Sequence, residues 1–549
     1  MKYPNYNPQE LESDILEFWK NKKIVEKLKK KNEKGKKWSF LQGPPYTSGK
    51  IHLGHAWNYS LKDMALRYKR SQGFNVWDRN GYDVHGLPTA HKVMAKHGLK
   101  TKEEIEKFGL DKFIKECKDF AYEMAAKMDI DFARIGSTID FKDPYMACNN
   151  DYIEGEWWLV KKAWEKDRLY LGDKSMTWCG NCETALAKHE CEYKLLNEDS
   201  IFLKFKVKGK KNEYLVIWTT TPWTIPFNLA IMVNPELDYV KADVDAGKSK
   251  ISGTASDGEE TWIIGKGLVG PLVQSVVGKA LTITDEFKGK DLEGMKYEHP
   301  WINEISTLKE IEEKHPKAFT VLLSDQHVDF TAGSGLVHCA PGCGPEDQEV
   351  GKENGLPAFN NLSEKGIFPK EIGKRFSGLT AKVDDLKFIE AMKKDGFLIA
   401  TTKVEHDYPT CWRCHKPVIF KTTKQWFFKI EDLRETIVKA NAKVNWQPKT
   451  QAFDSWTANL KDNSITRQRY WGTPVPIWKC SNEECSETEV IGSVKELKEK
   501  GCKVPKDLHR PWIDEVKWEC KKCKKGQMIR TPDILDVWID AGTAAWNCF

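Results

Sequence analysis

A Gly/Pro-rich loop, GPPYTSGK (43–50), runs into IHLGH (51–55), placing two histidines three residues apart. A short apolar run, WSFLQ (38–42), precedes the loop, and an amphipathic stretch over 51–73 follows it, ending at Gly73. The pattern predicts a short buried strand, a turn-forming loop and a helix start. The first turn of a helix offers unpaired backbone N–H groups and the positive end of its dipole to an anion. His52 and His55 would share one face of that turn, where two imidazoles can donate hydrogen bonds to a phosphoryl group as charge builds on it. A histidine pair that caps the helix or binds a metal is the plainer alternative. FNVWDRNGYD (74–83) reads as a returning strand, so the segment is a strand–loop–helix–strand unit of an α/β protein.

Cysteine spacing carries a second chemistry. Cys179-x-x-Cys182 and Cys411-x-x-Cys414 bracket a long middle segment, and Cys480-x4-Cys485 pairs with Cys520-x-x-Cys523 across a ribbon-like gap. An inserted domain leaves and re-enters its host at neighbouring points, so the first four thiolates can converge into a tetrahedral zinc site that clamps two stalk strands. The second four form another such site, with Cys502 able to replace one ligand. With all four positions filled, both zincs would be structural. The 15 cysteines are odd in number, and MKYPNYNPQELESDILEFWK at the start has no apolar signal core. Metal rather than disulfides, and a cytoplasmic location, are therefore expected.

The elements that must position these groups span 549 residues, a length suited to three or four domains at about 150 residues each. No apolar run approaches the roughly 18 residues of a membrane span. The net charge of +6 is too small to argue for nucleic acid by itself. Leu11, Ile15, Leu16, Trp19, Ile24 and Leu28 recur at helical spacing and lead into KLKKKNEKGKK (27–37), read as a solvated helix end, with an RNA phosphate contact the sharper alternative. From about 200 the texture becomes β: IFLKFKVKG, EYLVIWTTT, LAIMVNP, YVKADV and TWIIG are strand-like runs between turns. DILDVWID (533–540) reads as a buried strand leading into a helix at AGTAAW. The expected division is 1–190, half of an α/β domain with the first cysteine pair; 191–400, a β-rich insertion; and 401–549, the return to the host with the second zinc ribbon.

His52-Leu53-Gly54-His55, preceded by Gly43-Pro44-Pro45, resembles the His-x-Gly-His signature of class I aminoacyl-tRNA synthetases. WTTTPWTIPFNLA, GSGLVHCAPGCGPED, DYPTCWRCHKPVIFKTTKQWF, ITRQRYWGTPVPIW and PDILDVWIDAG follow in that family's order and cover nearly the whole chain. The resemblance implies a Rossmann-type catalytic domain that uses ATP with Mg2+ to join an amino acid to AMP and then to tRNA. It points to the isoleucine, valine and leucine branch, and GYDVHGLP (81–88) is similar to the isoleucine-specific form. L-isoleucine and tRNA(Ile) are the partners so implied, and a monomer is the family expectation. ATP would meet Gly43, Pro45, His52, Gly54 and His55, with His52 and His55 catalytic. Asp83 would hold the substrate ammonium, while Pro44 and Trp538 would line the apolar side-chain pocket, chemistry that suits a cation and a branched alkyl group. Ile539-Asp540-Ala541 stands where the family usually has Phe-Asp-Ser.

The insertion then resembles an editing domain. One methylene is worth only about 1–3 kcal/mol of discrimination, isoleucine against valine being the standard instance of that limit, so a second, hydrolytic site is needed. By the resemblance, Thr219, Thr220, Thr221 and Asn228 bind the mischarged adenosine end. Asp347 grips the free α-amino group, and His338 orients the aminoacyl moiety for attack by water. Cys343 stands where relatives commonly carry His. Metal at Cys339, Cys343 and His338 is set aside, since the hydrolytic relatives need none there.

The family's Lys-Met-Ser-Lys-Ser signature does not occur in these residues. The end at Cys548-Phe549 reads as a truncation within the catalytic domain, and the expectation is a chain that edits at most. The competing readings are a valyl or leucyl enzyme, a free-standing editing hydrolase, and a non-enzymatic zinc-ribbon RNA-binding protein.

Overall fold

The computed structural model describes residues 7–245, 259–446 and 451–549. By internal contacts the chain forms two units, Met1–Leu171 with Trp426–Phe549, and Gly172–Gln425. The breaks therefore fall at 171/172 and 425/426, not at 190 and 400, and the first cysteine set lies wholly in the middle unit.

The first unit opens with helices α1 (Pro8–Lys22) and α2 (Ile24–Lys31). The apolar periodicity over 11–31 runs through both, yet they are not one helix: Lys23 adopts a left-handed conformation (φ 51°) and breaks it. Neither helix buries a residue fully. Strand β1 (Lys37–Leu41), helix α3 (Leu53–Ser71) and strand β2 (Asn75–Arg79) follow, with β1 and β2 paired in parallel from Lys37↔Asn75 to Leu41↔Arg79. This is the expected strand–loop–helix–strand unit. The strand expected to be buried is only half-buried, because β1 alternates exposed and partly covered residues. Tyr59 and Leu66 of α3 enter the core with Val76, Tyr82, Val84 and the long helix Leu110–Arg134. Leu53, Trp57, Leu61, Met64 and Tyr68 form an exposed stripe at helical spacing along the same helix.

A buried ion network ties α3 to β2. Arg70 donates to Asp78 at 2.6 Å with both side chains buried, and to Thr138 Oγ1 at 2.8 Å. Lys29 of α2 reaches the same network, 2.9 Å from Asp140 and 3.5 Å from Asp78. One lysine of the basic run is thus an anchor for α2, the rest of that helix remaining largely solvated.

At the far end of this unit the strand expected over 533–540 is short. It covers Ile534–Leu535, and helix Val537–Asn547 begins at once, with Asp536 as its N-cap accepting from Trp538 N at 3.2 Å. The cap wins because an Asp side chain satisfies a helix's first amides, so the apolar run VWI becomes the helix's first turn.

The middle unit is built on a nine-stranded sheet. Its strands are β3 (Cys191–Lys206), β4 (Glu213–Thr219), β5 (Ala230–Val233), β6 (Asp238–Asp245), β7 (Glu259–Gly265), β8 (Leu281–Lys288), β9 (Thr320–Leu323), β10 (Val337–Cys339) and β11 (Leu398–Cys411). The order runs β8-β6-β7-β4-β10-β5-β9, with β3 joining β4 to β11. The β3–β11 ribbon pairs antiparallel from Leu203↔Leu398 to Cys191↔Cys411 and forms the stalk. Ile201, Leu203, Phe205, Leu215, Ile217 and Ile231 face one core, joined by Trp223, Phe227 and Trp301.

Arg70→Met should lower the first unit's unfolding transition by about 3–5 kcal/mol, because it removes the buried partner of Asp78 and leaves its charge to the partly exposed Lys29 at 3.5 Å. Lys29→Met, which leaves Asp78 paired, should cost under about 1 kcal/mol. Thermal denaturation of both variants checks the contrast, and equal losses would contradict it.

Candidate functional site

In the first unit, the Gly/Pro loop is pinned by backbone. Asp83 N donates to Pro45 O at 3.0 Å, and Thr47 N donates to Asp83 O at 3.1 Å. Gly43 is exposed and Pro44 and Pro45 are half-buried. The loop therefore lies directly against Asp83.

His52 is the N-cap of α3 and His55 its third residue, in a reciprocal capping box. His52 Nδ1 accepts from Gly54 N (3.0 Å) and His55 N (3.4 Å), while His55 Nδ1 accepts from His52 N (3.4 Å). The two rings stack at 3.9 Å. Capping and phosphate binding are thus compatible. Once Nδ1 of each ring accepts a backbone proton, the neutral ring carries its own proton on Nε2 and presents it as a donor. Burial and the neighbouring His52 hold the His55 pKa below the ordinary value, which favours this neutral donor. Gly54 is required by the same contact, for a Cβ there would lie 2.9 Å from His52 Cε1.

Asp83 is buried and its Oδ1 has no partner. Burial, then the charges of Asp540 and Asp536, push its carboxyl well above the usual range. Glu156 and Asp540 are buried beside it and are raised for the same first reason. A buried cluster of acids that resist ionisation gains most from an incoming cation. Trp538 stands 60% exposed on the first turn of its helix. Its neighbour Val537 approaches Gly86, where a Cβ would lie 3.6 Å from Val537 Cβ and 3.1 Å from the Tyr46 hydroxyl. The segments holding Pro44, Asp83 and Trp538 therefore meet at one place. Sequence reasoning missed Glu156, His85 and His509 here. His85 was legible two residues after Asp83, but nothing in the spacing marked the other two.

The middle unit assembles a second site. The pairing of β10 with β4 (Val337↔Trp218) sets His338 beside Thr219. Thr219 Oγ1 accepts from Thr221 N at 3.0 Å, and Thr220 and Thr221 are partly exposed at the edge of a short 3-10 turn, Pro222–Phe227. His338 is only 7% exposed, with Nε2 2.9 Å from Thr224 Oγ1 and Nδ1 3.5 Å from Asn228 Nδ2. Thr224 Oγ1 donates to Thr221 O at 2.7 Å, so it accepts from His338 Nε2–H, and Nδ1 is the acceptor. Burial, with His299 nearby, lowers the His338 pKa to about 4, so the ring stays neutral. Asn228 is wholly buried: its Nδ2 also donates to Ala230 O at 2.9 Å and its Oδ1 accepts from the Tyr297 hydroxyl at 2.5 Å. Asp347 Oδ2 accepts from Ala340 N at 3.0 Å, two residues beyond His338, and burial pushes its carboxyl up to about 7. Thr224 and Tyr297 were not singled out in the sequence. Thr224, three residues after Thr221, was the legible one, since Ser and Thr recur at that offset in turns.

Both cysteine sets converge. The sulfurs of Cys179, Cys182, Cys411 and Cys414, and those of Cys480, Cys485, Cys520 and Cys523, each lie within 4.8 Å of one another. Cys179–Cys414 and Cys480–Cys523 are both at 3.5 Å and Cys485–Cys520 at 3.9 Å. Disulfide sulfurs lie about 2 Å apart, whereas four thiolates about 2.3 Å from one zinc lie about 3.8 Å from each other. The residue after each Cys-x-x-Cys pair, Glu183, His415 and Lys524, has a left-handed φ of 51°, 57° and 53°. That turn folds the amides back on the sulfur, as in Cys182 N to Cys179 Sγ at 3.3 Å. Either set fits a tetrahedral metal. Cys502 is in neither; its Sγ faces Lys517 O.

The family profile of tRNA synthetases class I (I, L, M and V) matches residues 14–548. The chain belongs to the class I tRNA synthetases. It carries their Rossmann-like catalytic domain and β-rich insertion. The isoleucine–tRNA ligase of Pyrococcus horikoshii is 42% identical over 99% of this chain and 52% of its own length. That of Methanothermobacter marburgensis is 41% identical over 99% of this chain and 50% of its own. The chain thus spans about half the length of these curated relatives. A solved LeuRS in ternary complex from Agrobacterium radiobacter K84 overlaps 98% of this chain and 59% of its own at 17% identity and a TM-score of 0.39, too slight to bear on the fold. Among the described residues no helix is long and apolar enough to cross a membrane.

Purified from zinc-supplemented medium, the chain should hold two zinc ions, one for each cysteine set. Cys182→Ser and Cys523→Ser should each reduce that to one. Metal analysis by mass spectrometry checks this, and an unchanged count in either variant would contradict the assignment.

Proposed function

We propose that this chain carries the amino-acid-activating site and the editing site of an isoleucine-specific tRNA synthetase. The reaction is ATP-dependent formation of isoleucyl-adenylate and transfer to tRNA(Ile), with hydrolysis of mischarged valine. The identity to isoleucine–tRNA ligases over 99% of the chain is the observation that carries this reading. GYDVHGLP favours isoleucine over valine and leucine.

In activation, ATP with its Mg2+ is the substrate held along Gly43, Pro45 and Gly54. The Nε2–H groups of His52 and His55 donate to the phosphoryl oxygens as charge shifts toward pyrophosphate. Asp83 accepts from the substrate ammonium, and Pro44 and Trp538 flank the branched side chain. The ammonium supplies the counter-charge that the buried carboxylates lack, so binding and ionisation of Asp83 reinforce each other.

In editing, Thr220 and Thr221 meet the terminal adenosine of the mischarged tRNA, and Asp347 holds the α-amino group. Water attacks the ester carbonyl, the C–O bond to the ribose breaks, and the ribose oxygen takes up a proton. His338 holds the turn that carries the threonines: both its nitrogens are engaged and its ring is neutral. Asn228 and Tyr297 hold His338 in turn. Zinc, when bound, supplies a structural cross-link, at Cys179, Cys182, Cys411 and Cys414 beneath the stalk and at Cys480, Cys485, Cys520 and Cys523 in the other unit.

Every editing residue lies in Gly172–Gln425. Hydrolysis is therefore the activity we assign to this unit. It should deacylate valyl-tRNA(Ile) in preference to isoleucyl-tRNA(Ile). Asp347→Ala should lower kcat/KM by about 10- to 100-fold, the worth of a charged hydrogen bond. The wild-type rate should rise as pH passes through about 7, where Asp347 ionises, while His338 adds no step above pH 5. Equal hydrolysis of the two substrates would refute isoleucine specificity.

A further inference from the structure

Behind Asp83, five side chains form a continuous line through the first unit. Asp540 Oδ2 lies 2.6 Å from His85 Nδ1, and His85 Nε2 lies 2.9 Å from His509 Nε2. His509 Nδ1 is 2.5 Å from Asp507 Oδ1, and Lys118 Nζ donates to Asp507 Oδ2 at 2.8 Å. His85 and His509 are 1% and 0% exposed. Trp471 stacks on His509 at 4.9 Å and stands edge-on to His85 at 4.8 Å, its own N–H fixed on Val84 O at 2.6 Å. Neither ring has room to turn away.

The geometry counts protons. Two ring nitrogens 2.9 Å apart form a hydrogen bond only when one carries a proton and the other does not. Each contact between an imidazole and a carboxylate needs one proton as well. Three contacts need three protons, and two neutral imidazoles with two carboxylates supply only two. The third makes the histidine pair cationic or sits on Asp540 or Asp507. Moving each proton across its own hydrogen bond carries that charge from one end to the other, with none gained or lost.

The surroundings give this shift a direction. Asp540 faces Asp83, Glu156 and Asp536, the last paired with Arg467. The Tyr152 hydroxyl donates to Asp540 O at 2.6 Å. Asp507, at the other end, faces Lys118, Tyr122 and Cys148. With the pocket empty, three crowded acids favour a proton on Asp540. A cation beside Asp83 favours an ionised Asp540, and the proton then has a path through His85 and His509 toward the partly exposed Asp507.

We propose that His85 and His509 are positioning residues whose shared proton leaves Asp540 when the substrate ammonium enters beside Asp83. This rests on the reading of Asp83 given above. It spares amino-acid binding the release of Asp540's proton to solvent, which that buried acid would otherwise require.

Imidazole 15N spectra of the 549-residue chain, assigned with His85→Gln and His509→Gln, test the proton count directly. The expected result is a proton on each Nδ1 or shared with its carboxylate, and a single proton between the two Nε2 atoms. Two bare Nε2 atoms, or two protonated ones, would overturn the proposal. Calorimetry with L-isoleucine in buffers of different ionisation enthalpy tests the consequence. Wild type should release the proton of Asp83 alone, whereas His509→Gln should release up to about one more per ligand, with affinity rising more steeply with pH. A purely structural role would weaken binding without changing that count, and equal release from both proteins overturns the proposal. If wild type binds no isoleucine, the reading of Asp83 fails while the nitrogen count still decides the relay. If His509→Gln does not fold, the wild-type spectra decide it.

Discussion

Burying Asp83, Glu156 and Asp540 together is the costliest arrangement in the first unit, and much of what surrounds it answers that cost. Three carboxyls withdrawn from water repel one another and resist ionisation. Arg467 neutralises Asp536, the fourth acid nearby, and His85, backed by His509, lies within hydrogen-bond reach of Asp540. The loop 43–47 is bonded to the backbone on both sides of Asp83, so the side chain is held where its charge is least comfortable. A stored electrostatic cost of this kind is what a cationic ligand relieves, and it lies beside the helix terminus whose histidines present donors to an anion. In the function we propose, this region takes a positive group and a negative group side by side, as joining an amino acid to a nucleotide phosphate requires.

The middle unit solves a different problem. Its histidine is neither a free base nor a metal ligand: both nitrogens are engaged, and burial keeps it uncharged. Rigidity is its contribution. From Tyr297 through Asn228 and His338 to Thr224, each polar group is satisfied by the next, and the line ends on the turn that exposes Thr220 and Thr221. Such a satisfied buried network sets one geometry for the loop at its end. Asp347, with its carboxyl pushed up to about 7, is poised to change charge near neutral pH.

The cysteine knuckles are local by comparison. A left-handed residue after the second cysteine aims amides at sulfur, and this recurs in three Cys-x-x-Cys turns that are far apart in the chain. The fourth pair, Cys480 and Cys485, is spaced by four residues and reaches its partners through the sheet pairing of Lys479 with Ile529 and Cys480 with Met528.

What could be read in the residues alone was whatever depends on neighbours in the chain. The strand–loop–helix–strand unit, the histidines on the first turn, the cysteine pairs and the β texture of the insertion all rest on spacing, and spacing survives folding. The motif order even told the family. Errors came where a local signal met a competing one: Lys23 broke a continuous apolar stripe, and Asp536 capped a helix where an apolar run looked like strand. Tertiary structure alone decided the rest. His85 and His509 are 424 residues apart, and Asn228 and His338 are 110 apart, so no periodicity links them. Their protonation follows from burial and from which atoms come within hydrogen-bond reach, and both are properties of the packed interior that a linear pattern does not contain.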